Sequence, residues 1–216
     1  MMDLEDKRRL VRELLREVGR GFAEPHGFPV TNNPGRLFQL LVLSVLLRRT
    51  GDYHVAVEAA QRLRGRWDTA QRLAASPNEQ RVELLGKDVR RGTAELLGEL
   101  AWAVVERYRG DLRRLRTEAR RDPSRERELL GQLPGVDGKV VDLFLREAQV
   151  LWKEVSPFAD RQALAAARKL GLGRTSEDLA ELARYEESED YAWLVGALAQ
   201  IDLDRRHEEI RSLVSR

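Results

Sequence analysis

Two segments of this chain are apolar around almost the whole circumference of a helix, and they restrict what it can fold into. Residues 36–48 and residues 140–152 both have this pattern, which predicts helices that are buried on every side. Elsewhere apolar residues recur at helical spacing, and no segment alternates with the period of two that a β-strand requires. The sequence therefore predicts an all-α protein built around two central helices.

The other helices are predicted from the same periodicity and from residues that begin or end helices. Gly19 follows a first apolar stripe and is expected to end that helix. Ser76-Pro77-Asn78-Glu79 has the pattern of a helix start, with Ser76 as N-cap. Loops are expected at 25–35 and 153–159. Further helices are expected over 4–18, 55–63 and 96–108, and near 125–130, 161–170, 176–183, 191–201 and 205–214.

Composition excludes several kinds of protein. Of the 216 residues, 42% are hydrophobic and 34% are charged, which is typical of a folded globular protein. There is no cysteine, so disulfides and thiolate-held zinc or iron–sulfur clusters are excluded. The three histidines lie far apart and lack ligand spacing, so we expect no metal and no cofactor. The longest apolar run, residues 40–47, is much shorter than the roughly 20 residues of a membrane span. We expect a cytoplasmic protein.

Charge is distributed unevenly, although the net charge is only +2. Residues 107–127 contain nine arginines and four acidic residues, whereas residues 176–192 contain seven acidic residues and one arginine. This polarity fits a basic face that binds phosphate and an acidic face elsewhere. Solvated helix faces in an arginine-rich protein would give the same pattern, so charge alone leaves both interpretations open.

The most informative segment is Leu133-Pro134-Gly135-Val136-Asp137-Gly138-Lys139, a proline–glycine turn between two predicted helices. Glycine permits a positive φ and lets the backbone approach a ligand closely. The helix that follows presents free N–H groups and the positive end of its dipole, which together bind a phosphate oxygen without reading base sequence. We therefore expect nucleic-acid contacts at Leu133, Pro134, Gly135, Val136 and Gly138.

This segment resembles the helix-hairpin-helix motif of the endonuclease III superfamily of DNA glycosylases, whose usual form is Leu-Pro-Gly-Val-Gly-x-Lys. Residues 38–50 look like the family's first core helix, and residues 91–112 like the helix leading into the hairpin. Residues 158–172 resemble the segment that holds the catalytic aspartate. The matches cover roughly 36–172 in the family's order. There are two departures: Asp137 replaces the second glycine, and the C-terminal four-cysteine cluster is missing, as in clusterless relatives.

The resemblance implies an all-α, two-lobed helix-hairpin-helix DNA glycosylase fold with a cleft between the lobes. One lobe would comprise residues 30–137 and end in the hairpin. The second would comprise residues 1–29 and 138–216. The expected partner is damaged double-stranded DNA, bound by a nucleoid-associated monomer that has no metal cluster and no membrane contact.

The resemblance also assigns candidate catalytic residues. Lys139 falls on the lysine that attacks the sugar C1′ and forms a Schiff base; the alternative is a helix-start lysine that faces solvent or phosphate. Asp160 falls on the aspartate that stabilises positive charge on the sugar as the base leaves; the alternative is an ordinary N-cap. Asp142 and Arg146 follow Lys139 at helical spacing and could pair with it or with each other.

Four arginines are candidate DNA contacts. Arg49 aligns with a side chain that the family inserts into the gap left by an extruded nucleotide, although a helix-end cation is the alternative. Arg48, Arg113 and Arg114 are expected to contact the DNA backbone. Ser44 stands where the adenine-removing branch has a glutamate, which argues against an adenine glycosylase.

The leading hypothesis is a base-excision DNA repair glycosylase, with or without AP lyase activity. The first rival is a non-catalytic DNA-binding protein that retains the fold, and Asp137 and the missing cluster favour it. The second rival is a helical protein-interaction module that does not bind DNA.

Overall fold

The computed structural model describes residues 2–183 and 190–213, and every regular element within them is a helix. The prediction of an all-α protein is therefore confirmed for these ranges. A short 3-10 turn at Lys153–Val155 separates the ninth and tenth helices. The helices are α1 (Leu4–Val18), α2 (Pro34–Arg49), α3 (Tyr53–Arg66), α4 (Ala70–Ala74), α5 (Asn78–Leu85), α6 (Thr93–Tyr108), α7 (Leu112–Glu118), α8 (Pro123–Gly131), α9 (Gly138–Ala148), α10 (Arg161–Leu170), α11 (Ser176–Ala183), α12 (Asp190–Asp204) and α13 (His207–Ser212).

The chain divides into two compact units. Unit 1 comprises Met1–Gly27 and Leu145–Arg216, and unit 2 comprises Phe28–Phe144. The second boundary falls inside α9, whereas the sequence-based division placed it at the hairpin, between residues 137 and 138. The acidic stretch at 176–192 belongs to unit 1, but its residues 184–189 lie outside the described ranges.

Unit 2 is built around α2, which is buried along most of its length, as its apolar circumference predicted. Asn33 caps this helix by accepting hydrogen bonds from the N–H groups of Gly35 and Arg36, and Pro34 occupies its first turn. Residues 37–46 are all buried. Helix α3 packs on α2, while α4 and α5 pack on α6.

The core of unit 1 is formed by α1 and α10–α13. Helix α1 is amphipathic: Asp3 caps its start, and Leu10, Val11 and Leu14 are its buried residues. Helix α12 packs against both α1 and α10 and contributes Leu194, among others, to the same core. Most of the burial in this unit therefore comes from aliphatic contacts between amphipathic helices.

The helix start expected at Ser76 is wrong in detail. Helix α5 begins at Asn78 with Pro77 in the cap position, and its start has no side-chain cap. The Ser76 hydroxyl instead donates to the carbonyl of Leu73 and accepts a hydrogen bond from the buried Arg81 guanidinium. The competing partners of Ser76 therefore outweigh its local capping preference. The short helix α4 was not predicted.

The second apolar helix also ends earlier than expected. Helix α9 stops at Ala148, whereas the sequence pattern extended to Trp152. Trp152 is fully buried in the loop that follows, so its apolar character reflects burial and not helical structure. Within residues 2–183 and 190–213, no helix combines the length and the apolar character that crossing a membrane would require.

Candidate nucleic-acid interface and candidate active site

The predicted hairpin forms a tight turn in unit 2. The Val136 N–H donates to the Leu133 carbonyl oxygen at 3.1 Å, with Pro134 and Gly135 between them. Gly135 has a φ of 74°, which gives the turn its type II character. A Cβ at Gly135 would lie 2.6 Å from Leu96 Cδ2, so the position requires glycine for its backbone conformation and also for space.

Asp137, which replaces the motif's second glycine, caps α9. Its Oδ1 accepts hydrogen bonds from the N–H groups of Lys139 and Val140, each at 3.0 Å. Its Oδ2 accepts from Arg48 Nε at 2.8 Å. Partial burial by itself would raise the pKa of the Asp137 carboxyl, but the Val140 N–H and the Arg48 guanidinium outweigh it and hold that pKa below its usual value. The carboxylate therefore occupies two of the donors that an anion would use.

Other donors of the turn remain available. In the described part of the chain, the N–H groups of Gly135, Asp137 and Gly138 donate to no protein acceptor. Gly138 occupies the first position of α9, and a Cβ there would meet nothing within 4 Å. The turn thus keeps three main-chain donors for a ligand, beside a carboxylate that would repel an anion.

A groove of about 380 Å³ lies against this turn. Its lining is part basic and part apolar, and it includes five of the residues predicted to contact DNA from the hairpin and α2 together with others that were not predicted. The lining residues are Arg48, Arg49, Arg90, Leu96, Gly131, Leu133, Gly135, Val136 and Asp137. A groove lined by three arginines and by apolar side chains suits a ligand that combines phosphate with a flat apolar surface.

Arg90 and Leu96 were missed as groove residues. Arg90 lies in the loop before α6, next to Arg91 and the left-handed Gly92. The available signal was the pair of arginines directly before Gly92, a residue that can interrupt a helix. Leu96 gave no such signal, because its apolar character fits the buried face of α6 equally well.

The other predicted arginines have different surroundings. Arg49 donates to Thr93 Oγ1 and to the Arg91 carbonyl, both at 3.3 Å, so its guanidinium is held against the start of α6. Arg113 forms a two-pronged ion pair with Asp111 and also reaches the Asn32 carbonyl. Arg114 is exposed on α7. Arg113 and Arg114 do not line the groove.

Lys139 is exposed in the first turn of α9. The expected pairing of Asp142 and Arg146 with Lys139 or with each other is wrong for the described part of the chain. Asp142 instead accepts a hydrogen bond from Arg127 at 2.7 Å, and Arg146 points to a different set of carboxylates. The reason is that Asp142 pairs with Arg127 of α8, while Arg146 pairs with Glu147 of α9 itself and with Asp160 at the start of α10.

Asp160 is a buried N-cap in unit 1. Its Oδ1 accepts a hydrogen bond from the Ala163 N–H at 2.8 Å at the start of α10, and its Oδ2 accepts from Arg146 Nη1 at 2.8 Å. The residue is only 6% exposed. The preceding loop is fixed as well, because the Gln149 amide donates to the Phe158 carbonyl and accepts from the Phe158 N–H. Both the main chain and the carboxylate of Asp160 are thus held.

Arg146 connects Asp160 to a second buried carboxylate. Its Nε donates to Glu147 Oε1 at 2.9 Å, and Glu147 Oε2 accepts from the N–H groups of Phe22 and Ala23. Burial opposes the charge of Arg146, but Asp160 and Glu147 outweigh it and raise the pKa of the guanidinium above its usual value. We call Arg146, Glu147 and Asp160 the buried charge cluster. Removing one partner from such a cluster typically costs about 3–5 kcal/mol.

The structure brings Arg48, Arg49 and the hairpin residues together, and it places Lys139 beside them in unit 2. Asp160 lies in unit 1. The catalytic roles of Lys139 and Asp160 therefore stay predictions. The family's iron–sulfur cluster does not fit this chain, because a sequence without cysteine offers no thiolate to hold it.

Comparison with known proteins gives a likeness in fold. No protein-family model matches the chain, and no curated protein matches it in sequence. Among solved structures, it resembles a non-covalent endonuclease III–DNA complex (TM-score 0.54, 20% identity, 93% of this chain and 86% of that chain). It also resembles a trapped endonuclease III–DNA covalent intermediate, an estranged-adenine complex (0.52, 19%, 93% and 86%), and a thermostable thymine-DNA glycosylase (0.57, 18%, 92% and 86%). The chain therefore has the fold of these endonuclease III and thymine-DNA glycosylase structures.

Proposed function

We propose that this protein is a base-excision DNA glycosylase that binds damaged duplex DNA through the hairpin. The observation that carries the proposal is the type II turn at residues 133–136. The free N–H groups of Gly135, Asp137 and Gly138 lie in and directly after this turn, beside the groove that contains Arg48, Arg49 and Arg90. Solved structures of similar fold include DNA-bound endonuclease III and a thymine-DNA glycosylase, which supports the same class of ligand here.

In this proposal the hairpin fixes the protein on the sugar–phosphate backbone. The N–H groups of Gly135 and Gly138 donate to a phosphate oxygen, and the groove arginines neutralise neighbouring phosphates. Arg48 must then exchange its bond to Asp137 for a phosphate contact. Because such contacts read no bases, the selection of a damaged site falls to extrusion of the nucleotide, which costs least where pairing is already weak.

The chemical step would use Lys139 and Asp160. A neutral Lys139 amine attacks the sugar C1′, and the base leaves with the electrons of the glycosidic bond and takes up a proton. The nitrogen then loses its two protons, and the C1′–O4′ bond breaks as a C1′=N double bond forms, with O4′ taking up a proton as a hydroxyl. The product is a Schiff base between Lys139 and C1′. The Asp160 carboxylate stabilises the positive charge that develops on the sugar as the glycosidic bond breaks.

Base release and borohydride trapping on a panel of duplexes test this proposal. The panel contains abasic, oxidised-pyrimidine, uracil and mismatched thymine sites. We expect the wild type to release at least one base, Asp160→Asn to lose about two orders of magnitude in rate, and Lys139→Ala to lose the trapped adduct. An adduct that persists in Lys139→Ala would remove Lys139 from the mechanism. Release of free base by the wild type without any trapped adduct would identify a monofunctional enzyme.

A second candidate is a non-catalytic DNA-binding protein. Two observations favour it: Asp137 occupies two hairpin donors, and both oxygens of Asp160 already accept hydrogen bonds. This candidate predicts no base release from any duplex in the panel, together with binding that weakens steeply as salt rises. A protein-interaction module predicts no duplex binding even at low salt.

A further inference from the structure

We propose that Arg146 is a positioning residue for Asp160, and that Glu147 holds Arg146 in the orientation this requires. The proposal rests on the proposed function, because it concerns the carboxylate assigned to base removal. Nothing in the resemblance of residues 36–172 to the glycosylase family assigns a role to Arg146 or Glu147.

The geometry fixes the carboxylate of Asp160 in two directions. The Ala163 N–H binds Oδ1 and Arg146 Nη1 binds Oδ2, each at 2.8 Å, so the carboxylate can neither rotate nor turn toward solvent without breaking a short hydrogen bond. Each carboxylate oxygen has two lone-pair sites. One on each oxygen therefore remains for a substrate, with its direction set by the two donors.

Glu147 accounts for the orientation of Arg146. Its two oxygens divide their partners: Oε1 accepts from Arg146 Nε, and Oε2 accepts from the main chain at residues 22 and 23. Arg146 also lies 5.4 Å from the centre of the buried Phe22 ring. The guanidinium is thus fixed by elements on both sides, with one edge directed to Glu147 and Nη1 directed to Asp160.

The charge of the cluster also suits the proposed reaction. Two carboxylates and one guanidinium leave one net negative charge in a buried setting, spread over N–H donors of Phe22, Ala23 and Ala163. A buried excess of negative charge stabilises a positive charge that develops beside it. Arg146 keeps this excess at one unit and prevents the two carboxylates from repelling each other out of place.

An N-cap by itself does not need such a partner. Asp3, Asp52 and Asp122 cap α1, α3 and α8 at exposed positions and form no ion pair in the described ranges. Asp160 differs because it is buried and bound by a guanidinium that is 1% exposed. A capping role alone therefore does not explain why the chain places an arginine in its interior here.

The test is a double-mutant cycle on single-turnover base release, with saturating protein and the panel duplex that the wild type processes best. We expect Arg146→Lys to slow release about tenfold and Arg146→Met about a hundredfold, because small displacements of a reacting group cost this much. Duplex Kd should stay within about twofold of wild type, since phosphate contacts supply most of the affinity. Glu147→Gln should fall between wild type and Arg146→Lys. Lys169→Met is the control, because it breaks a surface ion pair with Asp202 at the other end of α10.

The decisive comparison is Arg146→Lys in an Asp160→Asn background. If Arg146 acts through Asp160, the lysine substitution should add less than about twofold there, because the cycle isolates the coupling between the two residues. An equal loss in both backgrounds, or wild-type release by Arg146→Lys, would overturn the proposal. Because Arg146→Lys retains a positive charge, it remains informative even if Arg146→Met does not fold.

A second measurement separates this proposal from the proposed function. If the wild type releases no base from any duplex, the proposal of glycosylase activity is wrong. The positioning of Asp160 by Arg146 is then tested by hydrogen exchange of the Ala163 amide. We expect Arg146→Lys to lower the protection of that amide about tenfold, with no change in Lys169→Met. Unchanged protection at Ala163 would show that Arg146 does not hold the Asp160 cap.

Discussion

Two aspartates in this molecule do the same local work in opposite surroundings. Asp137 caps α9 and Asp160 caps α10, and each accepts a hydrogen bond from an arginine at 2.8 Å. In the hairpin pair the side chains of Arg48 and Asp137 are 40% and 49% exposed. In the buried pair those of Arg146 and Asp160 are 1% and 7% exposed. The two pairs share an aspartate cap and an arginine donor, and their largest difference is the exposure to solvent.

That difference decides which pair can be exchanged. An exposed ion pair contributes about 0–1 kcal/mol, because water and salt screen it, so a phosphate can replace its carboxylate at little cost. A buried pair has no solvent to replace a lost partner. We therefore expect the hairpin pair to open when a ligand binds, and the buried pair to stay closed.

The largest expected effect comes from breaking each pair in the same way. Arg146→Met should lower the free energy of unfolding by about 3–5 kcal/mol, because it leaves two carboxylates buried without their cation. Arg48→Met should lower it by less than about 1 kcal/mol, because Asp137 remains solvated and still caps α9. Urea denaturation of both variants measures the contrast. Equal losses would contradict the assignment of one pair as exchangeable and the other as fixed.

A smaller effect is expected from the turn that supports the exposed pair. Gly135→Ala should cost about 1–3 kcal/mol, because alanine is strained at a φ of 74° and its Cβ would clash with Leu96. Gly138→Ala is the matched stability control, since its Cβ would enter open space. Thermal unfolding of both variants tests this. A Gly135→Ala protein as stable as Gly138→Ala would mean that the turn is looser than described.

The smallest effect concerns duplex affinity. Asp137→Asn should tighten binding to undamaged duplex about three- to tenfold at low salt. Asparagine still caps α9, but the negative charge that repels phosphate is removed and Arg48 is released from its ion pair. Asp142→Asn removes the same charge from the same helix at its pair with Arg127 and serves as the control. Fluorescence anisotropy over a salt series measures both. Equal gains in affinity in the two variants would indicate that the change in net charge, and not the hairpin, causes the tighter binding.

The affinity gain of Asp137→Asn should not depend on pH in the range where Asp137 stays charged. The pKa of Asp137 is lowered by the Val140 N–H and Arg48 against the opposing effect of burial, so the carboxylate stays charged throughout the neutral range. Its cap and ion pair are present above the unfolded pKa of about 3.9 and are lost as the pH falls through the lower folded value. The affinity gain of Asp137→Asn should therefore be constant from pH 7 to pH 5.

The two units also differ in how well they could be predicted. The helix at residues 34–49 and the turn at 133–136 follow from local patterns, because apolar circumference and Pro-Gly chemistry act on neighbouring residues. The partner of Arg146 could not be predicted in this way. Helical spacing pointed to Lys139 or Asp142, whereas Arg146 pairs with the adjacent Glu147 and with Asp160, which lies fourteen positions along the chain, beyond a loop.

The groove was predictable only in part. Arg48 and Arg49 were predicted from their position at the end of a core helix. Arg90 and Leu96, which were not predicted, reach the same groove from the α5–α6 loop and from α6. Which loop residues meet a distant turn depends on tertiary packing, which periodicity does not encode. The exchange of partners at Ser76 has the same origin, since Arg81 is brought to it by a buried packing position.

The main-chain bonds to Glu147 bear on how far the protein can be shortened. Phe22 and Ala23 lie outside the stretch 36–172 that resembles the glycosylase family, yet their N–H groups satisfy a carboxylate that is 5% exposed. A shortened protein that begins at Phe28 would remove both of these hydrogen-bond donors and leave Glu147 Oε2 buried in unit 1 without them, which costs stability. Any shortened version or circular permutant therefore has to keep Phe22 and Ala23 in place beside Glu147.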